Sequence, residues 1–274
     1  MSLMNVSRSE ATKQFSTSMW WILAIVLFVY VAFTASALGF VLSASAAGAL
    51  STRGPQISAD GLPAMIYSAA TSVGYVFPLL IGTLMVTSEF RHKTLTPTFL
   101  ATPRRGLVLG GKALVGVLIG VLYAVVGIVA SVAPGAAFLA GFGFDAGFGS
   151  SDTWALIGRM VISFVLWVLI GIGVGALVRN QVGAIVGVLV FTQFLEPIGR
   201  IAASFVDGLG DVTRFFPGAA GDALVGASVF GGATGAGTAA GDPLTWWAGG
   251  LVLLGYAALF LVLGNLFSWR RDVS

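Results

Sequence analysis

The chain has 274 residues, of which 57% are hydrophobic and only 9% are charged, and its mean hydropathy is +0.96. Soluble proteins carry roughly a quarter charged residues, so this composition excludes a water-soluble globule and predicts that apolar surface faces lipid. The formal charge of +3 does not indicate nucleic-acid binding, because the basic residues lie beside apolar segments. The absence of cysteine excludes disulfides, thiolate nucleophiles and cysteine metal sites.

Six apolar segments predict an all-α membrane protein that forms a single domain over residues 1–274. The predicted spans cover residues 19–42, 64–86, 107–133, 154–178, 182–200 and 246–267. In the fifth span the apolar run ends at Leu195, directly before Glu196 and Pro197, so this segment either spans the membrane or breaks and re-enters. The runs are apolar on all sides, which favours helices over the alternating strands of a barrel.

Residues 5–18, before the first span, mix charged and apolar side chains. This pattern predicts either a helix on the membrane surface or a solvated tail. The sequence Ala44-Ser45-Ala46 has the form of a signal-peptidase site. However, the apolar run at 19–42 is longer than the 7 to 15 residues of a signal sequence, so we expect a retained span.

Charged residues divide unevenly between the two sides of the six-span topology. One side carries ten basic and three acidic residues, and the other carries four basic and eight acidic residues. The first set is Arg8, Glu10, Lys13, Glu89, Arg91, Lys93, Arg104, Arg105, Lys112, Arg179, Arg270, Arg271 and Asp272. The second set is Arg53, Asp60, Asp145, Asp152, Arg159, Glu196, Arg200, Asp207, Asp211, Arg214, Asp222 and Asp242. Because basic loops stay in the cytoplasm, both termini are predicted to be cytoplasmic.

The connection between the second and third spans, residues 87–107, carries four of the ten bases on the cytoplasmic side. It predicts either a charged helical elbow suited to docking a cytoplasmic partner, or a basic loop that obeys the positive-inside rule. In the elbow interpretation Ser88 caps a short helix that has Glu89 in its first turn. Two apolar residues anchor the elbow to the membrane and two prolines interrupt the helix: Phe90, Leu95, Pro97 and Pro103.

Two further features near the elbow are predicted to be structural. The sequence from Gly106 to Ala113 is a near-match to a phosphate-binding loop, but no Ser or Thr follows Lys112 to hold Mg²⁺. Lys112 is therefore predicted to be an anchor that extends to the lipid head groups. His92 is the only histidine and is predicted to be solvated, which excludes a histidine metal cluster or catalytic triad.

Glu196 borders the fifth span, where an ionisable residue indicates either a functional site or a local ion pair. Arg200 lies four residues further on, so pairing with Arg200 is favoured over contact with a substrate. Neighbouring polar and aromatic residues either line a path or pack between helices: Phe191, Thr192, Gln193 and Phe194.

Residues 198–244 form the longest segment on the outer side of the predicted topology. Its first half is predicted to form short helices that dip into the membrane, and its second half, with glycine-rich residues 231–237, a flexible loop. Three pairs of glycines one turn apart predict close helix packing: Gly116/Gly120, Gly171/Gly175 and Gly183/Gly187.

The elbow sequence resembles that of the membrane subunits of type-2 ATP-binding-cassette transporters, particularly the small bacterial permeases. The residues that carry the resemblance are Ser88-Glu89-Phe90-Arg91-His92-Lys93-Thr94-Leu95, Ala101-Thr102-Pro103-Arg104-Arg105 and Lys112. The basic start at Ser9-Glu10, the six spans and the large outer segment extend the resemblance over nearly the whole chain.

This resemblance implies an N-terminal interfacial helix, a cytoplasmic coupling helix between spans 2 and 3, and outer re-entrant or short helices between spans 5 and 6. It implies that two permease subunits, expected to be a homodimer, pair in the bacterial cytoplasmic (inner) membrane among its lipids. Each would dock onto one of two copies of a cytoplasmic ATPase subunit. The chain itself would be non-catalytic and without cofactor or metal, because the partner ATPase binds ATP and Mg²⁺. The implied function is ATP-driven export.

The resemblance also implies two sets of functional residues. The ATPase-coupling set is Ser88, Glu89, Phe90, Arg91, His92, Lys93, Thr94, Leu95, Arg104 and Arg105. The candidate substrate path or gate is Phe191, Gln193, Phe194, Glu196, Phe215 and Phe216. Two other classes stay open, namely a secondary transporter driven by an ion gradient and a membrane scaffold without transport activity. The substrate stays open among drugs, peptides, lipids and glycan precursors.

Overall fold

The computed structural model describes residues 2–50, 59–102, 104–178, 180–203, 205–206, 208–229 and 244–269. These residues form helices and contain no β-strand. Six helical segments among them are long and apolar enough to cross a membrane, and we call them spans 1 to 6. They are Met19–Ala46, Ala59–Arg91, Arg105–Gly141, Ser151–Leu177, Gln181–Ala202 and Trp246–Leu266. The prediction of a multi-pass helical membrane protein is confirmed.

In the first half of the chain, one short helix precedes span 1 and another follows span 2. The helices are α1 (Leu3–Phe15), α2 (Met19–Ala46), α3 (Leu62–Tyr67), α4 (Ala69–Ser72), α5 (Val76–Arg91), α6 (Leu95–Ala101) and α7 (Arg105–Gly141). Helix α2 is span 1 and α7 is span 3, whereas span 2 consists of the 3₁₀ turn Ala59–Gly61 followed by α3, α4 and α5.

The second half begins with span 4 and contains a span of mixed geometry. Its helices are α8 (Ser151–Leu177), α9 (Gln181–Val190), α10 (Glu196–Ala202), α11 (Leu209–Thr213), α12 (Pro217–Val225) and α13 (Trp246–Leu263). A π-helical turn at Phe191–Leu195 joins α9 to α10, and a second one at Gly264–Trp269 follows α13. Span 5 continues past Glu196 and Pro197 without a break. The wider π-helical turn before Pro197 accommodates the backbone hydrogen bond that is lost because proline has no N–H.

Helix α8 lies at the centre of the bundle, where it packs against α5, α7 and α13. Span 2 is the most enclosed, since 83% of its most apolar window is buried, whereas spans 1, 5 and 6 are each 22% buried over theirs. The outer spans therefore present broad apolar faces that suit lipid or another membrane protein.

Two of the three predicted glycine pairs lie where helix backbones approach closely. A Cβ atom added to Gly120 would lie 2.7 Å from Val165 Cα, and one added to Gly175 would lie 2.6 Å from the Thr83 carbonyl oxygen. The prediction is wrong for Gly183 and Gly187, where an added Cβ atom would meet no other helix among the described residues. These two glycines lie on the exposed face of span 5.

Some sequence features lie outside the described residues. They are Pro103, the bases Arg53, Arg179, Arg270 and Arg271, the acids Asp207, Asp242 and Asp272, and the glycine-rich segment 231–237.

Candidate functional site

Four charged side chains from three helices form a closed ring at the end of the bundle that carries α1. The lysines alternate with the carboxylates: Lys13 Nζ lies 2.7 Å from Glu10 Oε1 and 3.0 Å from Glu89 Oε1. Lys112 Nζ lies 2.5 Å from Glu10 Oε2 and 3.0 Å from Glu89 Oε2. Each carboxylate oxygen of Glu10 and Glu89 therefore forms an ion pair with one lysine. We call Glu10, Lys13, Glu89 and Lys112 the charge ring.

Most of the charge ring is buried. Lys112 is 1% exposed, Glu10 is 3% exposed and Glu89 is 7% exposed. The prediction that Lys112 extends to the head groups is therefore wrong. Burying a lone ammonium is very costly, but two lysines and two glutamates compensate one another, so the neutral ring can be enclosed.

Lys13 is the one member of the charge ring that reaches solvent, with 39% of its side chain exposed. Partial burial lowers the pKa of Lys13, but hydrogen bonds and charge attraction to Glu10 and Glu89 outweigh burial, so its pKa is raised. Its ammonium also donates to Thr98 Oγ1 at 3.2 Å, which connects the ring to α6. The ring thus joins α1 to both helices of the elbow and to span 3.

A glycine allows α1 to lie directly on α7. A Cβ atom added to Gly111 would lie 2.8 Å from Val6 Cγ1, closer than side-chain carbons normally approach. Gly111 and Lys112 belong to the near-match to a phosphate-binding loop. In the structure these two residues instead dock α1, because the glycine provides the close approach and the lysine provides the ion pair.

The elbow, residues 87–107, begins with the tightly closed C-terminal end of α5. Helix α5 continues through Ser88 to Arg91, so the predicted cap at Ser88 is wrong. The Thr94 N–H donates to the Glu89 carbonyl at 3.1 Å and the Lys93 N–H donates to the Phe90 carbonyl at 3.3 Å. This pair of bonds is a Schellman motif, in which the chain reverses through a left-handed residue that is usually glycine. Here Lys93 holds that position with φ of 55°.

The short helix of the elbow is α6, which starts after Thr94. Pro97 lies in its first turn, so the prediction that Pro97 interrupts the helix is wrong. The first-turn N–H groups of a helix have no intrahelical acceptor, so a proline there removes no hydrogen bond.

The predicted coupling residues divide into an outward and an inward set. The outward residues are Arg91, His92, Lys93, Thr94 and Arg104, all exposed, and the elbow also exposes 79% of Leu100. The inward or half-buried residues are Ser88, Glu89, Phe90, Leu95 and Arg105. Leu95 is 1% exposed, and the Arg105 guanidinium lies 5.0 Å from the centre of the Phe99 ring. His92 is exposed, as predicted.

The C-terminal half of span 5 carries an apolar groove of about 310 Å³, which we call the aromatic groove. It is lined by Phe191, Phe194, Leu195, Ile198, Gly199 and Phe216. Three of the six predicted path residues therefore come together. Gln193 is exposed and does not line the groove, and Phe215 stacks with Arg214 at 5.2 Å instead.

Glu196 and Arg200 have separate partners, so the predicted local ion pair is not formed. The Glu196 carboxylate is 1% exposed and accepts a hydrogen bond from the Ala219 N–H at 3.0 Å, in the first turn of α12. Its charge therefore lies at the positive end of a helix. Arg200 donates to Asp222 Oδ2 at 2.8 Å.

Asp222 connects four segments near the aromatic groove. Besides Arg200, its carboxylate accepts hydrogen bonds from Ser72 at 3.1 Å and Ser228 at 2.8 Å. Sequence reasoning missed this hub, because Ser72 lies 150 positions before Asp222 and no local pattern marks the contact. The members of the charge ring are also distant in sequence, so the sequence analysis placed them at the surface and missed the ring.

Comparison with known proteins adds no family assignment. No protein-family model matches the chain, and no curated protein gives a significant match. Among the described residues no group of three or more histidines, aspartates and glutamates could hold a metal ion. The features of this chain that bear on function are the charge ring, the elbow and the aromatic groove.

Proposed function

We propose that this chain is the membrane subunit of an ATP-driven exporter of the type-2 ATP-binding-cassette class. A separate cytoplasmic ATPase would bind the elbow, and two copies of the chain would enclose the substrate path. The observation that supports this proposal is the two-sided elbow, which exposes Arg91, Lys93 and Arg104 while Glu89 is held by the charge ring. A docking element needs such a rigid inner side and an exposed outer side.

The charge ring gives the elbow a route for transmitting movement. Glu89 lies in the last turn of span 2, Lys112 lies two turns after the start of span 3, and both contact α1. A displacement of the elbow would therefore move the ends of two spans together instead of bending one loop. This linkage is what a coupling helix requires when a partner pushes on it.

In this proposal the aromatic groove is part of the substrate path. Its wall of phenylalanine and aliphatic side chains suits an apolar or amphipathic substrate. Glu196 contributes indirectly by holding the first turn of α12, since its carboxylate faces Gly218 and Ala219. Both chain ends and the elbow would lie on the cytoplasmic side of a bacterial inner membrane, as the uneven charge distribution favours.

Co-purification tests the proposal. The tagged full-length chain is extracted from its native host in mild detergent, and ATPase activity is measured on the proteins that co-elute. We expect a stoichiometric ATPase to be lost in the variant Arg91→Glu/Lys93→Glu. Arg8→Glu is the matched control, because Arg8 is an exposed base on the adjacent α1 and lies outside the elbow.

Each alternative outcome points to another class of protein. If the chain alone catalyses ion-coupled flux in vesicles, it is a secondary transporter. If neither an ATPase nor flux is found, a membrane scaffold is indicated. Retention of the ATPase by the double charge-reversal variant would contradict the assignment of the elbow as the docking site.

A further inference from the structure

A second groove, of about 530 Å³, lies between the elbow and the start of span 5. It is lined by Phe90 and Arg91 at the end of α5 and by Asn180, Gln181 and Val182 at the start of α9. We call it the Arg91 groove. Arg91 forms no ion pair with any described residue, so its guanidinium is available to an anion.

The start of α9 adds hydrogen-bond donors to this groove. Asn180 Oδ1 accepts from the Gly183 N–H at 3.1 Å, and the first backbone bond of the helix runs from the Ala184 N–H to the Asn180 carbonyl. The N–H groups of Gln181 and Val182 precede that bond and have no intrahelical acceptor. An anion would meet both these donors and the positive end of the ten-residue helix.

The side chain of Gln181 provides independent evidence for a ligand. Gln181 is only 8% exposed, yet its Oε1 accepts no hydrogen bond from any described residue. A buried acceptor left unpaired is costly, so a donor is expected to reach it. A ligand that carries both an anion and a hydrogen-bond donor would pair with Arg91 and with Gln181 Oε1 together.

The surroundings of the groove determine the kind of ligand. Val182, Val186 and Val190 are 64%, 51% and 42% exposed and follow one another along span 5. This apolar strip continues from the groove along the span, as an acyl chain would. We propose that the Arg91 groove binds a membrane phospholipid whose phosphate contacts Arg91 and the start of α9.

The head group of this phospholipid must also donate a hydrogen bond to Gln181. The ammonium of phosphatidylethanolamine and the hydroxyls of phosphatidylglycerol can do so, whereas the quaternary ammonium of phosphatidylcholine cannot. The site therefore distinguishes lipids that carry the same phosphate. This inference does not depend on the proposed transport function, since it concerns the isolated chain.

Native mass spectrometry on the purified, delipidated chain tests the proposal with these three lipids, matched in acyl chains. We expect the two donor lipids to bind about fivefold more tightly than phosphatidylcholine, the ratio that one hydrogen bond provides. Arg91→Gln should weaken all three by about tenfold or more, because it removes the charged donor. Gln181→Leu should abolish the preference while retaining binding.

Arg104→Gln is the matched control, since Arg104 is an exposed base of the elbow that does not line the groove. Its lipid binding should equal that of the unmodified chain, and elution profiles check the folding of every variant. Equal binding of all three lipids, or no effect of Arg91→Gln, would overturn the proposal. Full competition by inorganic phosphate would reassign the groove to a soluble anion. Cross-linking of Val182→Cys between two chains would reassign it to a second copy.

Discussion

Lys112 of span 3 and Glu10 of the N-terminal helix are 102 positions apart in sequence, yet Lys112 Nζ lies 2.5 Å from Glu10 Oε2 in the interior of the protein. Lys112 also donates to the Met85 carbonyl of α5 at 3.3 Å. One ammonium group thus ties α1 and α5 to α7, the helix that carries it. The attachment of α1 to the bundle should therefore depend strongly on this residue.

Replacing Lys112 by methionine should destabilise the protein by roughly 3–5 kcal/mol, because two buried carboxylates lose their shared cation. Thermal unfolding of the detergent-solubilised chain would measure this loss. Lys13→Met should have a smaller effect, since Lys13 is partly exposed and water can replace it. Equal effects of the two substitutions would contradict the buried role of Lys112.

Gly111→Ala should loosen α1, because the added methyl group would overlap Val6. Overpacking of this kind costs roughly 1–3 kcal/mol. Gly110→Ala provides the comparison, since its nearest contact would be Leu3 Cδ1 at an ordinary 3.6 Å. The better helix propensity of alanine should make that variant up to about 1 kcal/mol more stable. Limited proteolysis would show in which variant α1 is cleaved faster. Similar cleavage rates in the two variants would argue against the close packing of α1 on α7.

Lys93→Gly should stabilise the elbow, because Lys93 holds a left-handed conformation that costs a non-glycine residue roughly 1–2 kcal/mol. The greater backbone freedom of glycine in the unfolded chain cancels about half of that gain. Thr94→Gly should destabilise instead, since Thr94 has a right-handed conformation with φ of −86°. Melting temperatures would measure both changes, and a lower value for Lys93→Gly would refute the strain.

The pKa of Lys13 is raised above its ordinary value of 10.5 by its carboxylate partners. The stabilisation that Lys13 provides is therefore fully present below pH 10.5 and is lost only as the pH rises through the folded-state pKa. Unfolding measured from neutral to strongly alkaline pH should show this loss. Lys13→Met lacks the titrating amine, so its stability should decline less over the same range.

Double-mutant cycles should separate the two acids near the aromatic groove. Asp222→Asn and Arg200→Gln should be strongly non-additive, because Arg200 and Asp222 are hydrogen-bonded at 2.8 Å. Glu196→Gln and Arg200→Gln should couple more weakly, because Glu196 binds the first turn of α12. A stronger coupling for the second pair would restore the local ion pair expected from sequence spacing.

The helical spans could be predicted from sequence because lipid exposure leaves a clear signal in composition. The apolar runs around Met19–Ala46 and Trp246–Leu266 are visible without any knowledge of packing. The sequence could not show whether span 5 crosses the membrane or breaks at Glu196 and Pro197. The π-helical turn that carries the helix past these two residues has no sequence signature. The end of α5 was also misplaced, because Lys93 occupies a position where glycine is the usual signal.

The candidate site was harder to predict than the spans. The exposed bases of the elbow were recognised because they interrupt apolar sequence. The role of Lys112 depends on Glu10 and Glu89, and neither lies within one helical turn of it in sequence. An isolated lysine at a span end has the same pattern whether it extends into solvent or turns inward. Only the tertiary contacts of α1 distinguish the two cases.

The alternating charges of the ring also determine how much the ring contributes to the electrostatic field around the elbow. Two positive and two negative charges that alternate around a ring have a field that falls off much faster with distance than that of a single charge. The ring uses Glu10 and Glu89, two of the three acids assigned by sequence to its side of the membrane. A molecule approaching that surface therefore meets the bases of the elbow as an almost unopposed positive potential.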